Sequence, residues 1–287
     1  MSKGKTADDK ILGFLYNVKF GNFILRKIII KPWFSRCISK YYYSKLSARG
    51  INKFAKKNNI DLAQLPIDLQ VHPNKKFHSF NDFFSRKEVR NCEGNEGIFP
   101  AVADSRLSIY SINSELELEI KGTKYKLEEL LQEENCVENK YLDKSWDKGL
   151  CLVFRLCVDD YHRYIYPDDG DVIDQKLIKG TLHTVRDIAQ KERVFARNKR
   201  VVNTLKTKHF GEIIQIEVGA LLIGDIINHQ VKTFQKSQEK GYFSYCASTV
   251  IVLIKKDKIQ LFDRDKDRIN TGEERRIKMG EDIGCAQ

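Results

Sequence analysis

Four polar residues of this 287-residue chain are of types that can carry acid–base or nucleophilic chemistry: Asp104, His162, Arg163 and Ser248. A serine becomes a nucleophile only when a base takes its proton, and that base needs an orienting group such as a carboxylate. Taken singly, three of these residues also have an ordinary explanation. Asp104 fits a turn before a strand, and His162 fits a polar position at a strand end. Arg163 could hold a phosphate or carboxylate through two hydrogen bonds, or equally form a structural salt bridge.

The surroundings of these residues form a pattern of six short segments that occur in a fixed order. They are 80–87 (FNDFFSRK), 103–107 (ADSRL), 160–167 (DYHRYIYP), 195–202 (FARNKRVV), 217–220 (EVGA, with Gly224 beyond), and 241–243 (GYF) followed by 248–250 (STV). Any one segment would be a weak signal. Together, from about residue 77 onwards, they resemble the phosphatidylserine decarboxylase family, with one extra residue before the serine of the last segment.

The resemblance implies a proenzyme that builds its own prosthetic group. Decarboxylation of an amino acid leaves an electron pair on the α-carbon, and no natural side chain is an adequate acceptor for it. In the family, the serine hydroxyl attacks the preceding peptide carbonyl, and elimination cuts the chain and leaves a pyruvoyl group. In this sequence the bond is Ala247–Ser248, which gives a β chain of residues 1–247 and an α chain of residues 248–287.

The resemblance also assigns roles to the residues named first. It implies that Asp104, His162 and Ser248 are catalytic, that Ser248 becomes the pyruvoyl group, and that Arg163 is a candidate for substrate binding. The sequence contains no dinucleotide-binding glycine fingerprint, P-loop or metal-binding spacing. We therefore expect neither a diffusible cofactor nor a metal.

Two positions depart from the family pattern, and both concern self-cleavage. Ile165 stands where the family has a second histidine, the usual base for serine activation, and isoleucine cannot accept a proton. Either His162 performs both tasks, or His183 or His209 reaches the serine, or maturation is impaired. Ala247 stands where the family has glycine, and alanine is penalised in the strained backbone that acyl transfer needs. Slower cleavage is the expected consequence.

These observations leave two main functional hypotheses. The first is a working enzyme of phospholipid biosynthesis that converts phosphatidylserine to phosphatidylethanolamine and carbon dioxide. The second is an unprocessed, non-catalytic relative that binds anionic lipid at the membrane surface. Nucleic-acid binding ranks last, because only the net charge of +11 suggests it and no nucleic-acid motif is present.

The patterning predicts an α+β protein, with a helical membrane-facing part at residues 1–90 and a β-rich catalytic body of antiparallel sheets at residues 91–287. Pro32 should divide the first helical segment, and residues 51–90 should continue as helix. The run 150–158 (LCLVFRLCV), the stretches 200–207 and 211–228, and the run from 244 should be strands. Gly122 should lie in a hairpin turn, followed by a short helix at 126–132.

Residues 11–48 mix Ile, Phe, Tyr and Trp33 with Lys and Arg, and lack an apolar run long enough to span a bilayer. Such a segment fits helices that lie among acidic lipid headgroups, and equally fits amphipathic helices packed on the protein's own core. The expected partners are therefore phosphatidylserine and an anionic membrane surface, at the cytoplasmic face as a peripheral protein. The resemblance further implies a homodimer of cleaved heterodimers.

Overall fold

The structure, a computed structural model, describes residues 7–92, 94–132, 143–221, 225–245 and 248–287. Its α-helices are α1 (Ala7–Asn17), α2 (Lys19–Ile24), α3 (Pro32–Tyr43), α4 (Ile51–Lys57), α5 (Phe80–Phe84), α6 (Leu127–Leu131), α7 (Val194–Arg197) and α8 (Asp263–Lys266). Its strands are β1 (Ile98–Pro100), β2 (Ser105–Ser111), β3 (Glu117–Ile120), β4 (Thr123–Lys126), β5 (Leu150–Leu156), β6 (Arg163–Ile165), β7 (Gly170–Ile178), β8 (Arg200–Thr207), β9 (Gly211–Val218), β10 (Ile226–Asn228), β11 (Thr233–Phe234), β12 (Glu239–Phe243), β13 (Ser248–Ile254), β14 (Ile259–Leu261), β15 (Arg275–Ile277) and β16 (Asp282–Ala286). This composition confirms the α+β class.

An eight-stranded antiparallel sheet forms the centre of the molecule, in the order β11-β7-β8-β9-β13-β5-β2-β15. The strand β13 lies in its interior, hydrogen-bonded to β5 on one side and to β9 on the other. Every residue of β13 is buried. The strands predicted at 150–158 and 200–207, in the first part of 211–228 and in the run from 244 correspond to β5, β8, β9 and β13 of this sheet, so strands in these four places are confirmed.

Two separate hydrophobic cores cover the two faces of the central sheet. Because successive side chains of a strand point to opposite faces, Val250 and Val252 of β13 pack in the first core, whereas Ile251 and Leu253 pack in the second. A strand covered on both faces is apolar at every position rather than at alternate ones. This is why β13 appears in the sequence as an unbroken apolar run.

Smaller sheets complete the β-rich body. Strands β10, β12 and β6 form one antiparallel sheet, and β1, β16 and β14 form another. Strands β3 and β4 form a hairpin whose turn contains Gly122 at a φ of +79°. A residue with a side chain is strained at such an angle, so the prediction of a turn at this glycine is confirmed, as is the short helix α6 that follows.

The N-terminal part is helical but more broken than the sequence predicts. Helix α3 begins at Pro32, as expected of a residue that cannot continue a preceding helix. The predicted helical region 51–90 is wrong for residues 58–79 and 85–90, which are mostly irregular. Pro66 and Pro73 interrupt that segment, and Asn59, two residues after the end of α4, takes a left-handed φ of 55°. Within the described ranges, none of the helices is both long and apolar enough to traverse a bilayer.

Helix α1 is anchored to the β-rich body through Tyr16. Its hydroxyl lies 3.1 Å from Nδ1 of His183 and accepts a hydrogen bond of 3.1 Å from the backbone N–H of Thr184. Burial raises the pKa of Tyr16 to about 12. A small apolar cluster of Leu15, Leu25 and Ile30 adds to this contact. The helix therefore has a defined position against the loop that follows β7.

Candidate active site

Ser248 is the first residue of β13 and is completely buried. Its backbone lies opposite Leu156, the last residue of β5. Its side chain shares the face of Val250 and Val252, because residues two apart on a strand point the same way. The fold thus places a serine hydroxyl at the end of the most enclosed strand, where the chain enters the central sheet.

His162 is the residue that the fold brings to Ser248. Its Nδ1 lies 3.4 Å from Oγ of Ser248, and its Nε2 lies 2.9 Å from the carbonyl oxygen of Cys157. A carbonyl oxygen can only accept a hydrogen bond, so Nε2 must carry the imidazole proton. Nδ1 is then the unprotonated nitrogen, facing the serine. This is the tautomer that a general base for Ser248 needs, at a separation that must shorten for proton transfer.

The surroundings of His162 keep its ring neutral. The residue is fully buried, and burial lowers the pKa of its imidazole to about 3. The Phe84 ring packs against it with the two centroids 4.1 Å apart. Phe84 belongs to α5, so the first of the six sequence segments forms one wall of the site. A histidine in this state accepts a proton at neutral pH, although burial makes the resulting imidazolium costly.

A tight turn at 157–160 presents the Cys157 carbonyl to His162. The Cys157 N–H donates to Oδ2 of Asp160 over 2.8 Å, and the Asp160 N–H donates to the Cys157 carbonyl oxygen over 3.0 Å. Burial raises the pKa of Asp160. Sequence reasoning missed this turn as an orienting group, and its only signal was an aspartate two residues before the histidine.

Asp104 does not take the orienting position that the triad logic gave it. Its buried carboxylate lies 3.0 Å from Nη1 of Arg90 and 2.7 Å from Nζ of Lys278, and it accepts the backbone N–H of Met279 over 2.9 Å. Burial alone would raise its pKa, but the two cations bring that pKa below its ordinary value. Asp104 is therefore a charged carboxylate in an ion-pair network. Its catalytic role stays a prediction.

Arg163 is held in a network of its own. Its guanidinium donates to the carbonyl oxygens of Ser85 and Arg86, and its Nη1 lies 2.6 Å from Oε1 of Glu239. The same group stacks over the ring of Tyr242 at 4.7 Å. These contacts match the structural alternative that the sequence left open. Substrate binding by Arg163 stays a prediction.

The two other histidines considered as the base in place of position 165 do not lie at Ser248. His183 contacts Tyr16, and Nδ1 of His209 bonds to Asp168 over 2.9 Å. Ile165 itself packs in the first hydrophobic core. Of the three candidate bases, His162 is thus the one in contact with the serine. The other half of the scissile bond, Ala247, lies outside the described residues, as does Gly224 of the fifth segment.

Cys157, Asp159 and Asp160 place three candidate metal-ligand atoms within 4.8 Å of one another. Arginines already contact these groups. Nη2 of Arg276 lies 3.7 Å from Asp159 and 3.9 Å from Asp160, and Arg155 donates to the Cys157 sulfur over 3.4 Å. The guanidinium groups balance the negative charge that a cation would otherwise meet, so this cluster does not argue for a metal.

Comparison with known proteins agrees with the motifs. The family model described as phosphatidylserine decarboxylase matches residues 77–285. A relative from Clostridium acetobutylicum, phosphatidylserine decarboxylase proenzyme 2, is 39% identical over 277 residues, which is 95% of this chain and 91% of the relative. The phosphatidylserine decarboxylase proenzyme of Clostridium tetani is 35% identical over 98% of this chain and 93% of its own length. The expectation of an enzyme of the decarboxylase class is confirmed, and the chain belongs to the phosphatidylserine decarboxylase family.

Proposed function

We propose that this chain matures by cutting itself between Ala247 and Ser248, and that the cut protein converts phosphatidylserine to phosphatidylethanolamine and carbon dioxide. The observation that carries the proposal is the contact between Oγ of Ser248 and the unprotonated Nδ1 of His162. Relatives that are named proenzymes and align with nearly the whole chain support it.

The chemistry of maturation follows from this contact. His162 takes the hydroxyl proton as Oγ of Ser248 attacks the carbonyl carbon of Ala247, and the peptide bond is exchanged for an ester. Loss of the α-proton of residue 248 then breaks the Cβ–O bond and releases residues 1–247 with a C-terminal carboxylate. Water replaces the nitrogen of the remaining dehydroalanine, and ammonia leaves. The new carbonyl group is the pyruvoyl end of residues 248–287.

The residues around position 248 fit such a group. In the uncut chain the position is fully buried, and the neutral ring of His162 adds no charge beside it. When present, a pyruvoyl carbonyl supplies the electron acceptor that decarboxylation needs. The side chain of His162, against which Phe84 packs, would orient and enclose it.

Intact mass under denaturing conditions tests the proposal. We expect two chains, residues 1–247 and 248–287, with the smaller one lighter by ammonia than a chain with a free serine terminus. The Ser248→Ala variant is the matched control and should stay whole. A wild-type chain of full mass would contradict the proposal and favour the unprocessed, lipid-binding alternative.

We further propose that the N-terminal helices rest on an anionic membrane surface as a peripheral, cytoplasmic-face contact. Phe20, Phe23 and Trp33 expose 66%, 59% and 51% of their surface. Lysines and arginines lie between them in the sequence, as at Arg26 and Lys27, and such mixtures suit the headgroup region. The homodimer of cleaved heterodimers stays a prediction.

Sedimentation with phosphatidylserine vesicles at low and high salt tests this surface. The double variant Phe20→Ser with Phe23→Ser should bind several-fold more weakly than wild type, because it loses apolar area that the bilayer would bury. Ile173→Ser, at an isoleucine of β7 that exposes 50% of its surface, is the control and should bind as wild type does. Equal binding by all three proteins would contradict the proposal.

A further inference from the structure

The connection between β12 and β13 leads directly into the proposed cleavage site. Strand β12 ends at Phe243, and β13 begins at Ser248. The Phe243 N–H donates to the carbonyl oxygen of His162 over 2.9 Å, and the Ser244 N–H donates to the carbonyl oxygen of Asp225 over 3.0 Å. The β-rich body therefore holds the start of this connection, and one of the two bonds comes from the candidate base itself.

The next residue, Tyr245, is held by the N-terminal part of the chain. Its backbone N–H donates to Oδ1 of Asn81 in α5 over 2.9 Å. Asn81 exposes only 5% of its surface. Burial raises the pKa of the Tyr43 hydroxyl at the end of α3, and hydrogen bonds with Ser244 and Asn81 oppose that rise. The side chain of Asn81 thus joins the connection to two helices.

The ring of Tyr245 lies among aromatic side chains of the same two helices. The ring of Tyr42 in α3 lies over it with the centroids 3.9 Å apart, and the rings of Phe80 and Phe84 meet it edge-on at 5.0 and 5.2 Å. Phe84 also packs on His162. One aromatic cluster therefore contacts both the chain before the proposed cut and the ring that would act as the base.

Holding Tyr245 restricts the carbonyl group that would react. A residue of extended chain spans at most about 3.6 Å, so the Cα atoms of Tyr245 and Ser248 are at most about 11 Å apart along the chain. A span this short has little freedom when both of its ends are held. Attack on a carbonyl requires the reacting atoms to lie about 3–3.5 Å apart and in line, and a misplacement of about 1 Å can slow a reaction about a hundredfold.

We propose that Asn81 and Tyr42 are positioning residues for self-cleavage, which hold Tyr245 so that the carbonyl of residue 247 stays within reach of Oγ of Ser248. The proposal rests on the proposed self-cleavage and adds the residues that prepare the chain for it. It also gives a role to α5, which lies in the first of the six sequence segments. A purely structural role for these contacts would instead lower the stability of the protein and leave the cleavage rate of the folded chain unchanged.

The first test measures the self-cleavage of uncut precursor, made by cell-free translation, on a denaturing gel. Asn81→Leu removes the acceptor, whereas Asn81→Asp keeps an oxygen at the same place. Asn58→Leu is the matched control, because Asn58 also bonds a backbone group in the N-terminal part, the carbonyl of Phe54. We expect Asn81→Leu to cleave at least about tenfold more slowly, and the other two variants to cleave at close to the wild-type rate. A wild-type rate in Asn81→Leu, or an equal loss in Asn81→Asp, would overturn the proposal.

A second pair of variants tests the aromatic contact in the same assay. Tyr42→Leu removes the ring that lies over Tyr245, whereas Tyr42→Phe keeps it. Tyr42→Leu should cleave several-fold more slowly than wild type, and Tyr42→Phe should cleave as wild type does. Equal rates in the two variants would overturn the role of Tyr42.

Hydrogen exchange separates positioning from loss of the fold. In the full-length Ser248→Ala chain, the Tyr245 N–H should exchange slowly. Adding Asn81→Leu should make it exchange at least about tenfold faster, while the N–H groups of β13 keep their protection. Unchanged exchange at Tyr245 would overturn the proposal, and so would an equal loss of protection in β13, because slow cleavage would then reflect unfolding.

The two measurements also distinguish this proposal from the proposed function. A wild-type chain that cuts itself, together with Asn81→Leu that cuts equally fast, would refute positioning and leave the proposed function intact. A wild-type chain that stays whole would refute the proposed function. Hydrogen exchange in the uncut chain would then still decide whether Asn81 holds Tyr245.

Discussion

The burial of His162 predicts an unusual pH dependence of self-cleavage. An ordinary histidine has a pKa of about 6.5, so only about 3% of it is neutral at pH 5 and a base of that kind would act about 30-fold more slowly there than at pH 8. The pKa of His162 is lowered to about 3 by burial. Almost all of it therefore stays neutral at pH 5, and the rate of cleavage at Ser248 should be nearly constant from pH 5 to 8.

The assay starts from uncut precursor made by cell-free translation at low temperature and transferred into buffers of different pH. The separation of residues 1–247 from residues 248–287 on a denaturing gel gives the rate. Ser248→Ala should stay whole at every pH. His183→Gln and His209→Gln should cleave as wild type does, because those rings bond to Tyr16 and Asp168.

A rate that rises about 30-fold with a midpoint near pH 6.5 would refute the reasoning, because it would require an exposed base. The measurement must also allow for stability. The folded pKa of His162 lies below its unfolded value, so the unfolded chain binds the extra proton between about pH 3 and 6.5. Its contribution to stability is complete above pH 6.5 and falls by about 2 kcal/mol by pH 5. Low temperature keeps the protein folded through this range.

Three further predictions concern the site's support and the fold. Asp160→Ala removes the acceptor for the Cys157 N–H that stabilises the turn at 157–160. Cleavage, measured with the same gel assay, should be about tenfold slower. A wild-type rate would show that the turn keeps its shape without this bond. Lys240→Met leaves the buried carboxylate of Glu217, 3.0 Å away, without its counter-charge. The free energy of unfolding in urea should fall by about 3–5 kcal/mol, and adding Glu217→Gln should restore most of it. A fall of less than about 1 kcal/mol would contradict this prediction. The methyl group of Gly122→Ala would enter open space, but the residue would have to keep a φ of +79°. The variant should therefore lose about 1 kcal/mol of folding stability, and its Tm should fall by about 2–4 °C. An unchanged melting curve would argue against strain at this position.

The parts of the fold that the sequence predicts are those where one local rule decides the outcome. The apolar runs of β5 and β13 could only be strands buried on both faces, and Gly122 marked its turn. Residues 58–79 depart from the predicted helix because Pro66 and Pro73 lie within the segment, and proline cannot occupy a helix interior without breaking or kinking it.

For the candidate site, the sequence predicted the serine and the histidine that the fold brings into contact, but not the groups that hold them. The bond from Nε2 of His162 goes to a backbone carbonyl, which every residue possesses and no side-chain pattern reveals. Asp104 has the sequence position of the expected carboxylate, yet in the fold it forms ion pairs with Arg90 and Lys278. Contacts across the central sheet depend on strand register, which pairs residues far apart in the sequence, such as Arg106 of β2 and Arg276 of β15.

Strand β13 belongs to the proposed 40-residue product, 287 − 247, and lies between β5 and β9 of the larger one. Strand β16 of the same product lies between β1 and β14, and β15 extends the far edge of the central sheet. Cleavage would therefore leave two chains interleaved in shared sheets, and a piece of 40 residues is too short to keep a fold of its own. The chain must therefore fold before it is cut, and the mature protein would not refold once it had been unfolded. Maturation would therefore be irreversible, because the cut that creates the prosthetic group also divides the continuous chain that folding requires.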